Sequence, residues 1–573
     1  MNMLQIDNMI RDLQEQLLAK QPAKGQFWRG KLSSSAISTS VAIFALYIVD
    51  KEKYADHIQN GAKWLIDTMK PNGSWGDTIE SPPNMTATLL SYASLYAIGK
   101  APQESQNYLA DNFGGTSDKD IINGVLAYYG KDLTFSVPIL VMCALAGLIS
   151  TWDKIPNLPF EVSVLPQKVF RFFRLPVVSY AIPALIAVGI LRFKKGKKNI
   201  GSGIRKSFIN KSLNVLTKLQ PEHGGFLEAA PLTGFVAMCM SGAGYKDHAA
   251  TQRAIGFLTD TVRNDGAWAI DTDLSNWVTI LSIRALGDDL EDRQALAETV
   301  KNNAFTEIHP FTGAKEGGWG WTDLQGSVPD ADDTSGSLVA LHSLHRGEYS
   351  LEIGKGVEWL LSLQNKDGGI PTFCKGWGRL PFDRSSPDIT AHALLALHLW
   401  ENKLPQSLKV RCNKRVGKML KWMQKTQASD GSWKPLWFGD QDAKDESAPV
   451  YATAMTVEYL ADFDNDIAKE ITSKGLEYLL SAQNSDGGWG GAKGVQSKVT
   501  LTARALSALA SHSQSDKKIM DRAFNYLHEK YIKEELMQAE PIGLYFARLW
   551  YSEELYNITF TLKALKQYKF KIA

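Results

Sequence analysis

Apolar positions at helical spacing, broken by glycine-rich turns, run through most of the chain. Residues Met3 to Leu18 set Leu4, Ile10, Leu13 and Leu17 near one face, which predicts an amphipathic packing arm. A repeat follows. Trp64-Leu65 leads by way of Met69 to Gly73-Ser74-Trp75, Leu216 to Gln220 and Gly224-Gly225-Phe226, and Phe257-Leu258 to Gly266-Ala267-Trp268. Trp359-Leu360 leads to Gln364 and Gly368-Gly369-Ile370, Trp422-Met423 to Gln427 and Gly431-Ser432-Trp433, and Tyr478-Leu479 to Gln483 and Gly487-Gly488-Trp489. Most copies are an amphipathic helix ending in Gln, then a turn that presents an aromatic. Glycine permits the left-handed conformation after each helix. The Gln amide can bond the start of the next element, and the aromatic can stack over it. Repeated, this pins outer helices to inner ones and predicts an all-α protein of helical toroids, with the repeat residues structural.

Two stretches break the pattern. Leu175 to Leu191 is the most apolar segment. It contains Pro183 and runs into Arg192-Phe193-Lys194-Lys195-Gly196-Lys197-Lys198. It is short and interrupted for a membrane span. Two readings of residues 175–198 stay open: a buried barrel helix with a solvated basic loop, or an apolar surface dipping into one leaflet with the basic cluster on anionic headgroups. The second stretch is Pro329-Asp330-Ala331-Asp332-Asp333-Thr334, at the start of a helical run. Asp suits a helix N-terminus. Three carboxylates so close cannot all ionise, so one stays protonated near neutral pH. With Trp319 and Trp321 upstream, an acid in an aromatic-walled cavity would turn an alkene into a carbocation that aromatic faces stabilise.

The 573 residues suffice for two domains with substantial cores. Lys+Arg 63 against Asp+Glu 61 gives no charge excess that calls for nucleic acid. Cys143, Cys239, Cys374 and Cys412 are scattered, which points to a reducing compartment rather than a disulfide framework or zinc ribbon. Met1 to Gln21 lacks the apolar core of a signal peptide, so the cytoplasmic side is expected. Asp288-Asp289-Leu290-Glu291-Asp292 looks like a metal-binding Asp-Asp-x-x-Asp motif, but no second metal motif accompanies it and it reads as a charged turn.

The Pro-Asp-x-Asp-Asp-Thr segment, the later Asp388-Ile389-Thr390-Ala391-His392 and the Gln-Trp-like repeats together resemble class II terpene cyclases, above all squalene-hopene cyclases, from Phe27 to Tyr568. The resemblance implies two α/α barrels with a cavity between them: an arm at 1–26 packing on the second barrel, the first barrel at 27–262 and the second at 263–573. It implies that Asp332 donates the proton, that His392 bonds and polarises it, and that Asp330 and Asp333 assist. Asp388 and the aromatics Trp277, Trp321, Phe373, Trp377, Tyr180, Tyr545 and Tyr556, with Cys374, fall where the family lines its cavity. No organic cofactor or resident metal is implied. Squalene cyclases are monotopic, so a peripheral or monotopic place on a membrane surface and a homodimer are expectations too.

Three departures keep the substrate open. The chain is shorter than a typical squalene-hopene cyclase, and its first barrel opens on a Ser-rich run, Ser33-Ser34-Ser35, without the family's acidic residues. Lys375, Arg379 and Arg384 cluster before Asp388, and two readings stay open: a diphosphate-binding site or a solvated loop. The tail Leu549 to Tyr556 resembles bacterial diterpene-type class II cyclases. The favoured substrate is therefore squalene or a related triterpene precursor; the alternative is a C15–C20 prenyl diphosphate, for which Mg²⁺ enters. A protein prenyltransferase-like enzyme would need zinc on an Asp-x-Cys and a later His, and no Cys has Asp two residues before it. A non-catalytic toroid would have no use for the carboxylates and His392.

Overall fold

The computed structural model describes residues 3–573 except 131–132, 167–181, 198–200, 311, 346, 372–382, 514–515 and 545–548. Two compact units result. One comprises Leu32–Thr272 with Leu324–Gly326, the other Met1–Lys31, Asp273–Asp323 and Ser327–Ala573.

In the second unit six helices form a closed inner ring. Ser275–Leu286 packs on Ala331–Leu344, then in turn come Pro387–Trp400, Pro449–Tyr459, Val499–Ala510 and Glu554–Ile572, which returns to Ser275–Leu286. Outside them lie Met3–Ala19, Arg293–Asn302, Leu351–Leu363, Gln406–Thr426, Asp466–Ala482 and Lys517–Ile532, each packed on an inner partner. The outer helices bury one stripe, as in Ile6, Met9, Ile10, Leu13 and Leu17 of the N-terminal arm. The inner helices are buried on nearly every face, so they are built from Ala, Leu, Ser and Thr. Several of their buried hydroxyls bond within the helix, as Ser335 Oγ to Ala331 O (2.6 Å) and Thr559 Oγ1 to Leu555 O (2.7 Å). A small antiparallel sheet joins Phe438–Gly439, Ile542–Leu544 and Leu549–Tyr551, with Gly543 opposite Gly439 and Trp550.

The first unit repeats the plan, with Ala36–Asp50, Met85–Ala97, Leu133–Leu145, Ile182–Lys195 and Ala230–Gly242 as its described inner helices. Ile182–Lys195 is buried along almost its whole length, so this part of the apolar stretch is a barrel helix. Three residues of the basic run are engaged locally. Arg192 Nε donates to Ile155 O (2.8 Å), Lys194 Nζ to Ala243 O (2.6 Å), and Lys197 pairs with Asp153 (2.9 Å). Among the described residues no helix is long and apolar enough to cross a membrane.

The copies that carry Gln share one geometry. Gln364, Gln427 and Gln483 each donate through Nε2 at 2.8 Å to the carbonyl of Gly368, Gly431 and Gly487, and at 2.9 Å to the next outer helix, at Arg415, Ile471 and Ile519. The aromatic does more than stack: Trp433 Nε1 bonds Met423 O (3.0 Å) and Trp489 Nε1 bonds Leu479 O (2.8 Å), ten residues back on its own outer helix. Gly368 has φ +108°, and a Cβ there would stand 2.7 Å from the Lys418 carbonyl, so the close approach requires glycine.

The unit edges follow side-chain bonds. Trp28 Nε1 donates to Leu17 O (2.8 Å), and Arg29 pairs with Asp273 (2.5 Å) and Asp323 (2.7 Å), which ties Met1–Lys31 to the second unit. Residues 263–272 stay with the first, where Arg263 donates to Leu32 O and Ser34 bridges Ala269. The acidic turn at Asp288 is held by ion pairs of Asp289 with Lys566 (2.5 Å) and Glu291 with Lys24 (2.6 Å), as a charged turn should be.

Candidate active site

The site is a modified copy of the repeat. In each module the backbone N–H of the turn aromatic, or of Ile370, donates to a Thr in the first turns of the next inner helix. Trp75 reaches Thr88 (3.1 Å), Phe226 Thr233 (2.9 Å), Trp268 Thr39 (3.0 Å), Trp319 Thr334 (3.0 Å), Ile370 Thr390 (2.9 Å), Trp433 Thr453 (3.1 Å) and Trp489 Thr502 (3.0 Å). Four residues before all but Thr453 lies the helix cap: Asn84, Ala229, Ser35, Asp330, Ser386 and Lys498, while before Thr453 the cap, Ala448, is five residues back. Among these caps the carboxylate is Asp330. That recurring Thr was readable from the sequence, and it fixes where the acidic helix starts.

Asp330 is extended (φ −132°, ψ 171°), and its carboxylate accepts from the N–H groups of Asp332 and Asp333, both at 2.9 Å. Its own N–H bonds Trp319 O (2.9 Å). This clamp points Asp332 at the neighbouring helix, where its Oδ1 stands 2.6 Å from His392 Nδ1. The His392 side chain is fully buried. Its ring stacks on Tyr459 (centroids 5.0 Å, 29°) and meets Trp277 edge-on (6.2 Å, 71°). Gly336, one turn beyond Asp332, leaves room for the imidazole.

The electrostatics sort the four carboxyls. Burial is the main cause that pushes Asp330 up to about 7. Asp333 goes well above the usual carboxylate range, through burial and then the charge of Asp330. Asp388, bonded by Ser386 Oγ, is pushed by burial up to about 7. Burial also lowers His392, against the opposing pull of Asp332. A neutral imidazole beside Asp332, among carboxyls that favour their protonated forms, is an arrangement that can hold and release one proton. Asp330 Oδ2, Asp333 Oδ1, Asp388 Oδ2, His392 Nε2 and Tyr451 Oη are buried without a protein partner.

Asp330, Asp332, Asp333, Asp388, His392 and Trp277 therefore meet. Trp321 is buried, and its carbonyl takes the N–H groups of Asn276 (3.0 Å) and Trp277 (3.1 Å), which sets where Trp277 stands. Tyr556 is buried, stacked on Phe560 (5.4 Å, 15°), its hydroxyl 3.2 Å from Tyr551 Oη. Arg384 is exposed. Tyr180, Phe373, Cys374, Lys375, Trp377, Arg379 and Tyr545 lie outside the described residues. The sequence reading missed Tyr451, Tyr459, Arg504 and Phe560, which reach this region from inner helices more than 110 residues from Asp332 and carry no local motif. Among the described residues no group of three or more His, Cys, Asp or Glu is placed to hold a metal ion.

The family model of the squalene-hopene cyclase C-terminal domain matches residues 306–570, and that of the N-terminal domain residues 10–114. A probable squalene–hopene cyclase of Sinorhizobium fredii is 23% identical over 98% of this chain and 97% of its own. The squalene–hopene cyclase of Alicyclobacillus acidocaldarius is 22% identical, over 84% of this chain and 75% of that protein. Among solved structures, an ent-copalyl diphosphate synthase from Streptomyces platensis superposes with a TM-score of 0.57 at 16% identity, covering 98% of this chain and 99% of that one. It shares the helical toroid fold. With the acid–imidazole pair on a repeat-built toroid and both domain models matched, this chain belongs to the squalene-hopene cyclase family of class II terpene cyclases.

Proposed function

We propose that this cyclase acts on squalene or a closely related linear triterpene precursor. The observation that carries the reading is the Asp332–His392 contact of 2.6 Å, with Asp330, Asp333 and Asp388 all pushed toward their neutral forms. The full-length likeness to the Sinorhizobium protein supports a C30 chain.

Neutral Asp332 protonates a terminal isoprene double bond. The O–H bond breaks, a C–H bond forms from the alkene π pair, and a tertiary cation appears beside a new carboxylate. His392 and Asp330 hold the carboxyl in place, so little reorganisation accompanies the charge change. Trp277 and its aromatic neighbours stabilise the cations that follow ring closure. The residues name no organic cofactor in these steps, and Mg²⁺ enters only for a diphosphate substrate. A linear C30 polyene is held in lipid, so the protein works from a membrane surface on the cytoplasmic side as a peripheral or monotopic enzyme, and a homodimer is part of the proposal.

The test incubates purified protein with squalene, farnesyl diphosphate and geranylgeranyl diphosphate, with and without Mg²⁺, and identifies products by mass spectrometry. Metal-independent cyclisation of squalene in detergent is the expected result. Mg²⁺-dependent cyclisation of a diphosphate alone overturns the substrate and leaves the Asp332 chemistry standing.

A further inference from the structure

The ring that covers His392 is itself held in place. Tyr459 ends inner helix Pro449–Tyr459 and is buried. Its ring lies 5.0 Å from that of His392 at 29°, and its hydroxyl accepts from Arg284 Nη1 at 2.7 Å. The Arg284 guanidinium also stands 4.6 Å from the Tyr459 ring centroid. Arg284 Nη2 reaches Glu458 Oε1 at 3.3 Å, and the same oxygen takes Lys563 Nζ. The side chains of Arg284, Glu458 and Lys563 are only 10%, 5% and 15% exposed, so this is a charged cluster inside the ring of helices. Contacts therefore run unbroken from Glu458 through Arg284, Tyr459 and His392 to Asp332, whose Oδ1 is 2.6 Å from His392 Nδ1.

His392 needs such support. A histidine is usually oriented by a hydrogen bond on its second nitrogen, but His392 Nε2 has no protein partner. Ring contacts must set the imidazole plane instead. Helix Ser275–Leu286 supplies them twice. Trp277 meets the imidazole edge-on at 6.2 Å and 71°. Arg284 stands seven residues on, two turns along the same helix face, and reaches the imidazole through Tyr459. A stacked pair alone has a broad optimum of distance and angle. A hydrogen bond from a charged donor is shorter and directional, and it fixes the phenol end of the ring. Apolar side chains would fill this space at lower desolvation cost. Glu458, set between Arg284 and Lys563, compensates the guanidinium and keeps it aimed at Tyr459.

We infer that Tyr459 is a positioning residue for the acid pair and that Arg284 locks it: the clamped phenol ring holds the imidazole in the plane where His392 Nδ1 meets Asp332. The contact then persists as the proton leaves Asp332 and its carboxylate forms. Tyr459 and Arg284 touch neither the substrate nor the transferred proton, and neither changes protonation in the step. The inference rests on Asp332 being the acid and deepens that reading by naming what keeps His392 within reach.

One readout avoids catalysis. Nitrogen NMR of substrate-free protein labelled at histidine, with His392 assigned from H392Q, follows the Nδ1 signal, and D332A marks its position without the Asp332 bond. Y459L removes ring and clamp together. Its Nδ1 signal moves toward the D332A position, kcat falls about tenfold or more, and KM stays within about twofold. Y459F keeps the ring and loses the hydroxyl, so its signal moves less and kcat falls about threefold. R284M matches Y459F. The double variant Y459F/R284M loses no more than the larger single loss, because both changes remove one bond. If Y459L or R284M loses its melting transition, Y459F and R284K decide by the same readouts. An unmoved Nδ1 signal with unchanged kcat overturns the inference. A double-variant loss equal to the product of the single losses overturns the lock, and a change confined to KM makes Tyr459 a wall residue. Full activity in a folded D332N would instead defeat the parent reading, while the NMR comparison, which involves no turnover, still judges the contact.

Discussion

Gly336 and His392 occupy one space: a Cβ on Gly336 would stand 3.2 Å from His392 Cε1 and 2.9 Å from Ile280 Cγ2. The imidazole reaches Asp332 because the residue one turn later has no side chain. In Gly336→Ala the methyl presses on the ring and lengthens the Asp332–His392 contact. Alanine favours a helix by about 1 kcal/mol, so the melting temperature changes little. Turnover falls about tenfold, and Gly336→Val falls further. Wild-type turnover in Gly336→Val would show that the pair tolerates displacement.

Asp332→Asn leaves a folded protein without detectable cyclisation, since an amide cannot protonate an alkene; general acids contribute about 10²–10⁴-fold. His392→Ala lowers kcat by about a hundredfold and changes KM less. Product formation by mass spectrometry, beside circular dichroism of the folded state, checks both. A change confined to KM in His392→Ala makes His392 a wall residue.

Trp277 lies edge-on to His392 at 6.2 Å, beside the proposed proton donor. Trp277→Ala yields prematurely quenched, partly cyclised products, because lost cation–π stabilisation of about 1–2 kcal/mol shifts partitioning roughly tenfold. Trp321→Ala has a similar result through loss of its own indole, since the backbone carbonyl that takes the Trp277 N–H is kept. An unchanged product spectrum removes either residue from the cation path.

Asp388 makes stability depend on pH in a stated direction. Its folded value is raised to about 7 by burial, above the unfolded value of about 3.9. Between these the folded protein binds more protons, so stability is full below about pH 4 and is lost as pH rises through about 7. Asp388→Asn removes that loss, up to about 4 kcal/mol as an upper figure. Melting curves from pH 4.5 to 8.5 should show the variant gaining on the wild type as pH rises. A constant offset between the two would contradict the assignment.

Gln427 tests the repeat. Its amide bonds Gly431 O and Ile471 O at 2.8 and 2.9 Å, joining two outer helices. Gln427→Ala lowers stability by about 1–3 kcal/mol through lost and unsatisfied bonds and leaves the product pattern unchanged. Altered products would give the repeat a role in shaping the site.

What the sequence determined by itself is what is local in the chain. Asp330 caps N–H groups two and three residues on, and each Gln bonds a glycine carbonyl four residues on. Such bonds need only the right residues at short spacing, so the toroid, the repeat and the acidic helix start were legible, and His392 came from a motif of the same kind. Tertiary structure decided the rest. Residues 182–191 read equally as membrane-facing or buried, and only ring packing made them an inner helix. Tyr451, Tyr459, Arg504 and Phe560 look like ordinary members of apolar helices. They come together because six inner helices close on one another, and that closure joins side chains that share no spacing along the chain.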